Sequence, residues 1–262
     1  MTFWQAALLG VLQGVTEFLP VSSSGHLALT QMLIPGFEQP GVVIDAMLHL
    51  GTACAVLWYE RRQIADWVGS LEGRRLLALL VLGTVATVGV AFPLRHIAVA
   101  AFSQPSWVGV GLVLTGLVVG STRFLPGGSS DQSTVSWRQT LAIGMVQGLA
   151  VFPGLSRSGV TIAASLGVGL ERAWAARFSF LLSVPVIVAV TAGQILERWA
   201  EVSAAGSGFL IACTIGAMAA GVSGYFALQL VIATVSSRVF NRFAWYCIPL
   251  GMVVIVLVWG GR

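Results

Sequence analysis

The chain has 262 residues, of which 56% are hydrophobic and 9% charged, and its mean hydropathy is +0.89. That balance lies outside soluble domains and inside the range of multi-span membrane proteins. All fourteen basic residues are arginine, which excludes a P-loop lysine, a Schiff-base lysine and a Ser–Lys dyad, and the net charge of +4 fits short loops between spans better than a nucleic-acid surface.

Met1-Thr-Phe-Trp lacks the basic start of a cleavable leader, so the first apolar segment is expected to be retained. Within it Gly10, Gln13, Gly14 and Glu17 recur at i, i+3, i+4 and i+7 and share one small, polar helix face turned toward other protein. Pro20 ends that helix, Ser22 to Gly25 make a hydroxyl-rich turn, and Ser24 is placed to cap a second helix beginning near His26. The segments 3–19 and 26–34 are too short or too polar to be full spans, so residues 3–34 read as a re-entrant helical hairpin covered by protein. Three full spans follow at 42–59, 75–93 and 106–124, the first entered through an Asp45/His49 pair at i, i+4 that either backs the site or forms an interfacial ion pair. His96 reads as a solvated loop residue.

The layout then returns at a constant offset of 134 residues, pairing Gly10/Gly144, Gln13/Gln147, Gly14/Gly148, Phe18/Phe152, Ser22/Ser156, Ser24/Ser158 and Gly25/Gly159. A second hairpin is expected over 139–170 and three more spans at 176–196, 207–232 and 243–260. The chain therefore reads as an all-α integral membrane protein of one domain, built from repeats 1–134 and 135–262. With three spans after each hairpin, the second repeat enters the membrane inverted, and the two turns meet near the midplane. The halves differ where chemistry resides: Glu17 faces Val151, Ser23 faces Arg157 and His26 faces Val160.

Arg61, Arg62, Arg74, Arg75, Arg123, Arg138, Arg172, Arg177, Arg238 and Arg242 collect on one side, against Arg95, Arg198 and Arg262 on the other, so the richer side is expected in the cytoplasm and both termini outside. Trp58, Trp107, Trp137, Trp174, Trp199, Trp245 and Trp259 flank the spans as an interfacial belt would. Cys54, Cys213 and Cys247 lie in apolar segments without metal-ligand spacing and read as packing residues.

Arg157 is costly inside an apolar hairpin unless an anion or a carboxylate meets it. Ser156, Ser158 and Thr161 surround it, and a helix starting at Ser158-Gly159 offers backbone amides, so the turn suits a phosphate; the plain alternative is an ion pair with Glu17. Glu17 beside such a site acts through a bridging cation or as a general base, with Gln13 adding an oxygen ligand. His26, three residues after Ser23, is close enough to take the hydroxyl proton or merely to cap the helix.

The two motifs, residues 13–26 (Gln-Gly-Val-Thr-Glu-Phe-Leu-Pro-Val-Ser-Ser-Ser-Gly-His) and 153–161 (Pro-Gly-Leu-Ser-Arg-Ser-Gly-Val-Thr), resemble the signatures of the undecaprenyl-pyrophosphate phosphatase family associated with bacitracin resistance, and the similarity extends through Leu48-His-Leu-Gly-Thr52. The resemblance implies an enzyme of the bacterial inner membrane, opening to the extracytoplasmic side, that hydrolyses undecaprenyl pyrophosphate to undecaprenyl phosphate and inorganic phosphate. Glu17, Ser23, His26, Arg157, Ser156, Ser158 and Thr161 match the family's functional positions; catalytic roles are expected of the first four, and phosphate contacts of Ser156, Ser158 and Thr161 together with Ser22, Ser24, Gly25 and Gly159 around them. The resemblance also implies dependence on a divalent cation, expected as Mg2+ or Ca2+; the residues themselves offer Glu17 and Gln13 to hold it, with Asp45 and His49 behind them if that pair is not an interfacial one. Gln13 stands where many members carry glutamate, which weakens a two-carboxylate metal site.

The expected partners are a polyprenyl pyrophosphate and membrane lipids, without nucleic acid. Two readings compete with this one. A secondary transporter or lipid flippase is also built from broken inverted repeats with a midplane anion site. The phosphatidic-acid-phosphatase superfamily shares Ser-Gly-His and Ser-Arg, but it expects a lysine motif and a later histidine, and here the last histidine is His96. Whether Ser23 or water attacks phosphorus stays open at this level, as do tail length, oligomeric state and product flipping.

Overall fold

Thr2 opens the first helix with a capping box: its hydroxyl accepts from Gln5 N–H at 3.2 Å and its own N–H donates to the Gln5 side chain at 2.8 Å. Ser136 and Gln139, 134 residues on, repeat the device at 3.3 and 2.8 Å. A computed structural model describes residues 1–34, 41–102 and 104–260. Helices α1 (Phe3–Phe18) and α2 (Ser23–Leu33) are followed by α3 (Gly41–Trp67), α4 (Leu71–Phe102) and α5 (Pro105–Ser121), the last continued by a 3-10 turn, Thr122–Phe124. Next come α6 (Trp137–Leu149), α7 (Arg157–Gly167), α8 (Arg172–Glu197), the short α9 (Trp199–Ala204), α10 (Ser207–Ser236), a 3-10 turn Phe240–Phe243 and α11 (Ala244–Gly260).

Among the described residues five helices are long and apolar enough to cross a membrane: α4, α5 with its 3-10 extension, α8, α10, and α11 with the turn before it. This is a multi-pass helical membrane protein. The segment expected as a span at 42–59 lies inside α3, which is 27 residues long.

The packing partners follow the 134-residue correspondence. Helix α1 packs along α10 and α6 along α4, while α3 packs on α8 and α5 on α11. Exchanging the halves turns the first two pairs into each other and each of the last two into itself. The close approaches obey the same exchange: a Cβ on Gly10 would lie 2.2 Å from Gly216 O, and one on Gly144 would lie 2.4 Å from Gly83 O. Neither position has room for a side chain, and small residues at such contacts are how helices meet in a membrane.

The core between these pairs holds Phe18, Val119, Ile143, Phe178, Phe180 and Leu182, with the Phe18 and Phe180 rings edge-on at 5.1 Å. Apolar side chains such as Leu77, Val81, Val85, Phe92, Val222, Phe226 and Leu257 remain exposed on the outer faces, as a hydrocarbon solvent allows.

Several of the arginines tie separate segments of the chain together. Arg75 donates to Val135 O, Arg172 donates to Leu125 O, and Arg177 pairs with the buried Glu60 and with Gln63. In the same region the Asp131 carboxylate accepts from the Ser133 and Thr134 hydroxyls and backbone N–H groups at 2.8–3.1 Å, which pulls its pKa down to about 2.

Trp58, Trp107, Trp137, Trp199 and Trp245 are exposed as a belt requires, but Trp174 is not: it is 3% exposed and packs against Phe178. Its place on the inner face of α8, as the third residue of that helix, puts it in the core. Arg262 and the side chain of Trp259 lie outside the described residues.

Candidate active site

Helix α1 ends at Phe18, Leu19 is extended, and Ser22 takes a left-handed conformation, φ 67°, that only a turn with firm support holds in a non-glycine residue. Its support is local. Gly25 N–H donates to Ser22 Oγ at 3.3 Å, while the His26 backbone N–H and ring Nδ1 both meet Ser22 O, at 3.2 and 2.8 Å. Ser22, not Ser24, is therefore the cap of α2, which begins three residues before His26; the positive φ lets the chain reverse sooner than the Pro20 signal suggests.

The second turn is capped in the same way. Ser156 Oγ accepts from Gly159 N–H at 3.1 Å and contacts Ser158 Oγ at 3.1 Å, matching Ser22 with Gly25 and the Ser22–Ser24 pair at 3.3 Å. Helix α7 starts at Arg157, one residue before the expected Ser158-Gly159 start, so Arg157 leaves the first turn of the helix and crosses to the other hairpin.

Glu17 is the meeting point. Its Oε2 accepts from Ser23 Oγ at 2.6 Å and Gln13 Nε2 at 2.8 Å and lies 3.6 Å from His49 Nε2, and its Oε1 pairs with Arg157 Nη2. The ion pair named as the plain alternative for Arg157 is thus present. It is incomplete, because Arg157 Nη1 and Gln13 Oε1 are buried with no hydrogen-bond partner. A buried donor and a buried acceptor left unmet beside a carboxylate are costly unless something else meets them.

A cavity of about 610 Å³ opens here, lined at one end by Glu17, Ser22, Ser23, Ser24, Ser156, Arg157, Asp45 and His49 and along its wall by Leu27, Met32, Val99, Phe102, Ile187 and Val190. Among the residues named from the sequence, Gln13, Gly25, His26, Ser158, Gly159 and Thr161 do not line it. Ser158 Oγ donates to Leu19 O of the facing turn at 3.2 Å, and Thr161 Oγ1 donates to Arg157 O at 2.7 Å while contacting Ser179, so both hydroxyls hold structure.

The expected Ser23–His26 hydrogen bond is not formed. Ser23 Oγ is turned to Glu17, while His26 has Nδ1 on Ser22 O and Nε2 2.8 Å from Tyr246 Oη, the two rings stacked at 5.8 Å. Sequence spacing puts His26 within reach of the hydroxyl, but the Ser23 hydroxyl and both His26 ring nitrogens are taken by other partners. The Asp45 side chain accepts from Gln31 Nε2 at 2.9 Å, His49 Nδ1 meets Asp45 O at 2.7 Å, and both residues line the cavity.

Two participants had no sequence signal beyond a polar atom in an apolar helix. Thr115 Oγ1 donates to Gly154 O at 2.9 Å and accepts from Ser156 N–H at 2.8 Å; Tyr246 is the partner of His26.

For a cation, the described residues contain no cluster of three or more histidine, cysteine, aspartate or glutamate ligands. Glu17 with the unpartnered Gln13 Oε1 fits a hard divalent ion that takes its remaining oxygens from phosphate and water.

Fold and site together define a multi-pass helical membrane protein whose cavity gathers two carboxylates, Glu17 and Asp45, the Arg157 guanidinium, the His49 imidazole and a row of serine hydroxyls at one end. The chain belongs to the family described as bacitracin resistance protein BacA, which matches residues 6–253. It is 41% identical to an undecaprenyl-diphosphatase of Syntrophotalea carbinolica over 96% of this chain and 97% of that one. It is 38% identical to an undecaprenyl-diphosphatase of Desulfatibacillum aliphaticivorans over 98% and 99%, and 35% identical to one of Carboxydothermus hydrogenoformans over the full length of both.

Proposed function

We propose that this chain hydrolyses undecaprenyl pyrophosphate to undecaprenyl phosphate and inorganic phosphate, with the pyrophosphate at the Glu17–Arg157 end of the cavity and the first isoprenoid units along Leu27, Val99, Phe102 and Val190. The observation that carries the placement is Arg157: half-buried, lining the cavity with Ser22 to Ser24, and with its buried Nη1 unmet. A phosphate oxygen satisfies that donor and can draw the guanidinium from Glu17, since a planar fork suits two phosphate oxygens as well as one carboxylate.

Ser23 Oγ, 2.6 Å from Glu17 Oε2, is the nucleophile in this reading. As its O–P bond forms, its proton passes to Glu17 and the bridging P–O bond breaks toward undecaprenyl phosphate; water then cleaves the phosphoserine and releases phosphate. Arg157 and the Ser22, Ser24 and Ser156 hydroxyls stabilise charge on the transferring phosphoryl group. A divalent cation, Mg2+ or Ca2+, at Glu17 and Gln13 Oε1 would supply the remaining charge compensation.

The reading includes an inverted repeat of re-entrant hairpins, 3–34 and 139–170, each followed by three spans, in the bacterial inner membrane with the cavity opening outward. The recurrence of both capping boxes, both serine caps and the exchanged helix pairs at the 134-residue offset supports it.

Phosphate release from undecaprenyl pyrophosphate by the purified protein in detergent tests the function. Release that is absent, or unchanged in Arg157→Ala, counts against it.

A further inference from the structure

Each active turn is gripped by a helix of the other half. Helix α5 of the first half holds the second turn through Thr115, which bonds both Gly154 O and Ser156 N–H. Helix α11 of the second half holds the first turn through two adjacent residues: Cys247 Sγ lies 3.2 Å from Pro20 O, and Tyr246 Oη lies 2.8 Å from His26 Nε2. The two gripping helices meet backbone to backbone, for a Cβ on Gly109 would lie 2.8 Å from Gly251 O and one on Gly251 2.6 Å from Gly109 O. One helix pair therefore sets both turns and the distance between them.

The His26 bonds fix which atom carries the proton. Nδ1 faces the Ser22 carbonyl, which can only accept, so Nδ1 carries hydrogen and Nε2 accepts from the Tyr246 hydroxyl in the neutral ring. Tyr246 thereby locks the ring that holds Ser22 at φ 67°, and Ser22 immediately precedes Ser23. We propose that Tyr246 is a positioning residue: acting through His26 and the Ser22 carbonyl, it holds the left-handed turn that presents Ser23 to Glu17. It touches neither the cavity nor Ser23. This role rests on the hydrolytic reading of the site only for its effect on turnover, since the grip itself is a property of the resting protein.

Tyr246→Phe keeps the ring and removes the hydroxyl. In protein labelled with 15N-histidine in nanodiscs, with the His26 signals assigned from His26→Gln, the substitution should move Nε2 to the resonance of an unbonded ring nitrogen and leave Nδ1 protonated. With undecaprenyl pyrophosphate, kcat should fall about 3–10-fold, the worth of one hydrogen bond, with KM within about twofold. In a His26→Ala background the same substitution should cost nothing further.

Unchanged His26 resonances overturn the proposal. So does a shifted resonance with wild-type kcat, or an equal loss with and without His26. If the wild-type protein releases no phosphate, the hydrolytic reading fails while the 15N spectra still decide the grip.

Discussion

Arg157 and Glu17, 140 residues apart in sequence, form an ion pair that joins the two hairpin turns across one cavity. Both members are inside a membrane protein, and each has other work to do: Glu17 also receives Ser23 and Gln13, while Arg157 retains an unmet Nη1. A pair in that state leaves a buried donor and a buried acceptor over, rather than spending them all.

Arg157→Lys is expected to lower kcat/KM by about 10²–10³-fold, the range for removing a donor aimed at developing charge. The ammonium keeps the charge but cannot span two oxygens. Steady-state phosphate release measures it, and turnover near wild type would show that guanidinium geometry is not used.

Ser23→Ala and Glu17→Gln should each lose at least the ~10²–10⁴-fold associated with proton transfer to a placed base. Rapid-quench mass spectrometry with the lipid substrate should find phosphate on Ser23. Full turnover in Ser23→Ala, or phosphate trapped on another residue, transfers the attack to water or to that residue. His26→Ala is expected to act on kcat through loss of its hold on the Ser22 carbonyl.

The sequence showed which residues mattered more readily than which of them touch. Gln13, Glu17, Ser23 and Arg157 stood out because polar groups in an apolar run need partners, and the structure gives them one another. Of the two roles the spacing leaves open to His26, contact with Ser23 is not made in this structure, because Ser23 turns to Glu17 while the imidazole is held between Ser22 O and Tyr246, a partner that spacing cannot show. Trp174 looked interfacial by its place near a span end, yet burial is decided by which face of α8 it occupies. Tyr246 and Thr115 were invisible, since one hydroxyl in an apolar helix says nothing of the turn it will meet across the fold.

The Glu60–Arg177 pair binds α3 to α8 at the arginine-rich end, far along both helices from Asp45 and Thr191 at the cavity. Glu60 is 3% exposed, so Glu60→Ala leaves a partly buried guanidinium without its carboxylate. A loss toward the lower end of the ~3–5 kcal/mol typical of breaking a buried pair is expected, because Arg177 keeps some access to water. Thermal unfolding in detergent should show a lowered midpoint while kcat at low temperature stays near wild type. An unchanged midpoint would mean that the pair contributes nothing to holding the helices.

The last prediction concerns sidedness. Arg75 and Arg172 bond to the 125–135 connection and Arg177 to Glu60 and Gln63 in the last part of α3, and the bias of arginine toward short cytoplasmic loops predicts a cytoplasmic place for them. Val68, 78% exposed in the connection between α3 and α4, is a suitable reporter there. On a background with Cys54, Cys213 and Cys247 replaced, Val68→Cys should resist a membrane-impermeant maleimide in intact spheroplasts and react after permeabilisation. Met32→Cys, 59% exposed beside the cavity mouth, should react in intact spheroplasts, and the reaction should slow when undecaprenyl pyrophosphate is added. Because the inverted arrangement requires the cavity and the arginine-rich end to face opposite sides, equal labelling of both cysteines from outside would rule out this topology. Labelling of Val68→Cys alone would turn the protein over in the membrane and place its cavity toward the cytoplasm.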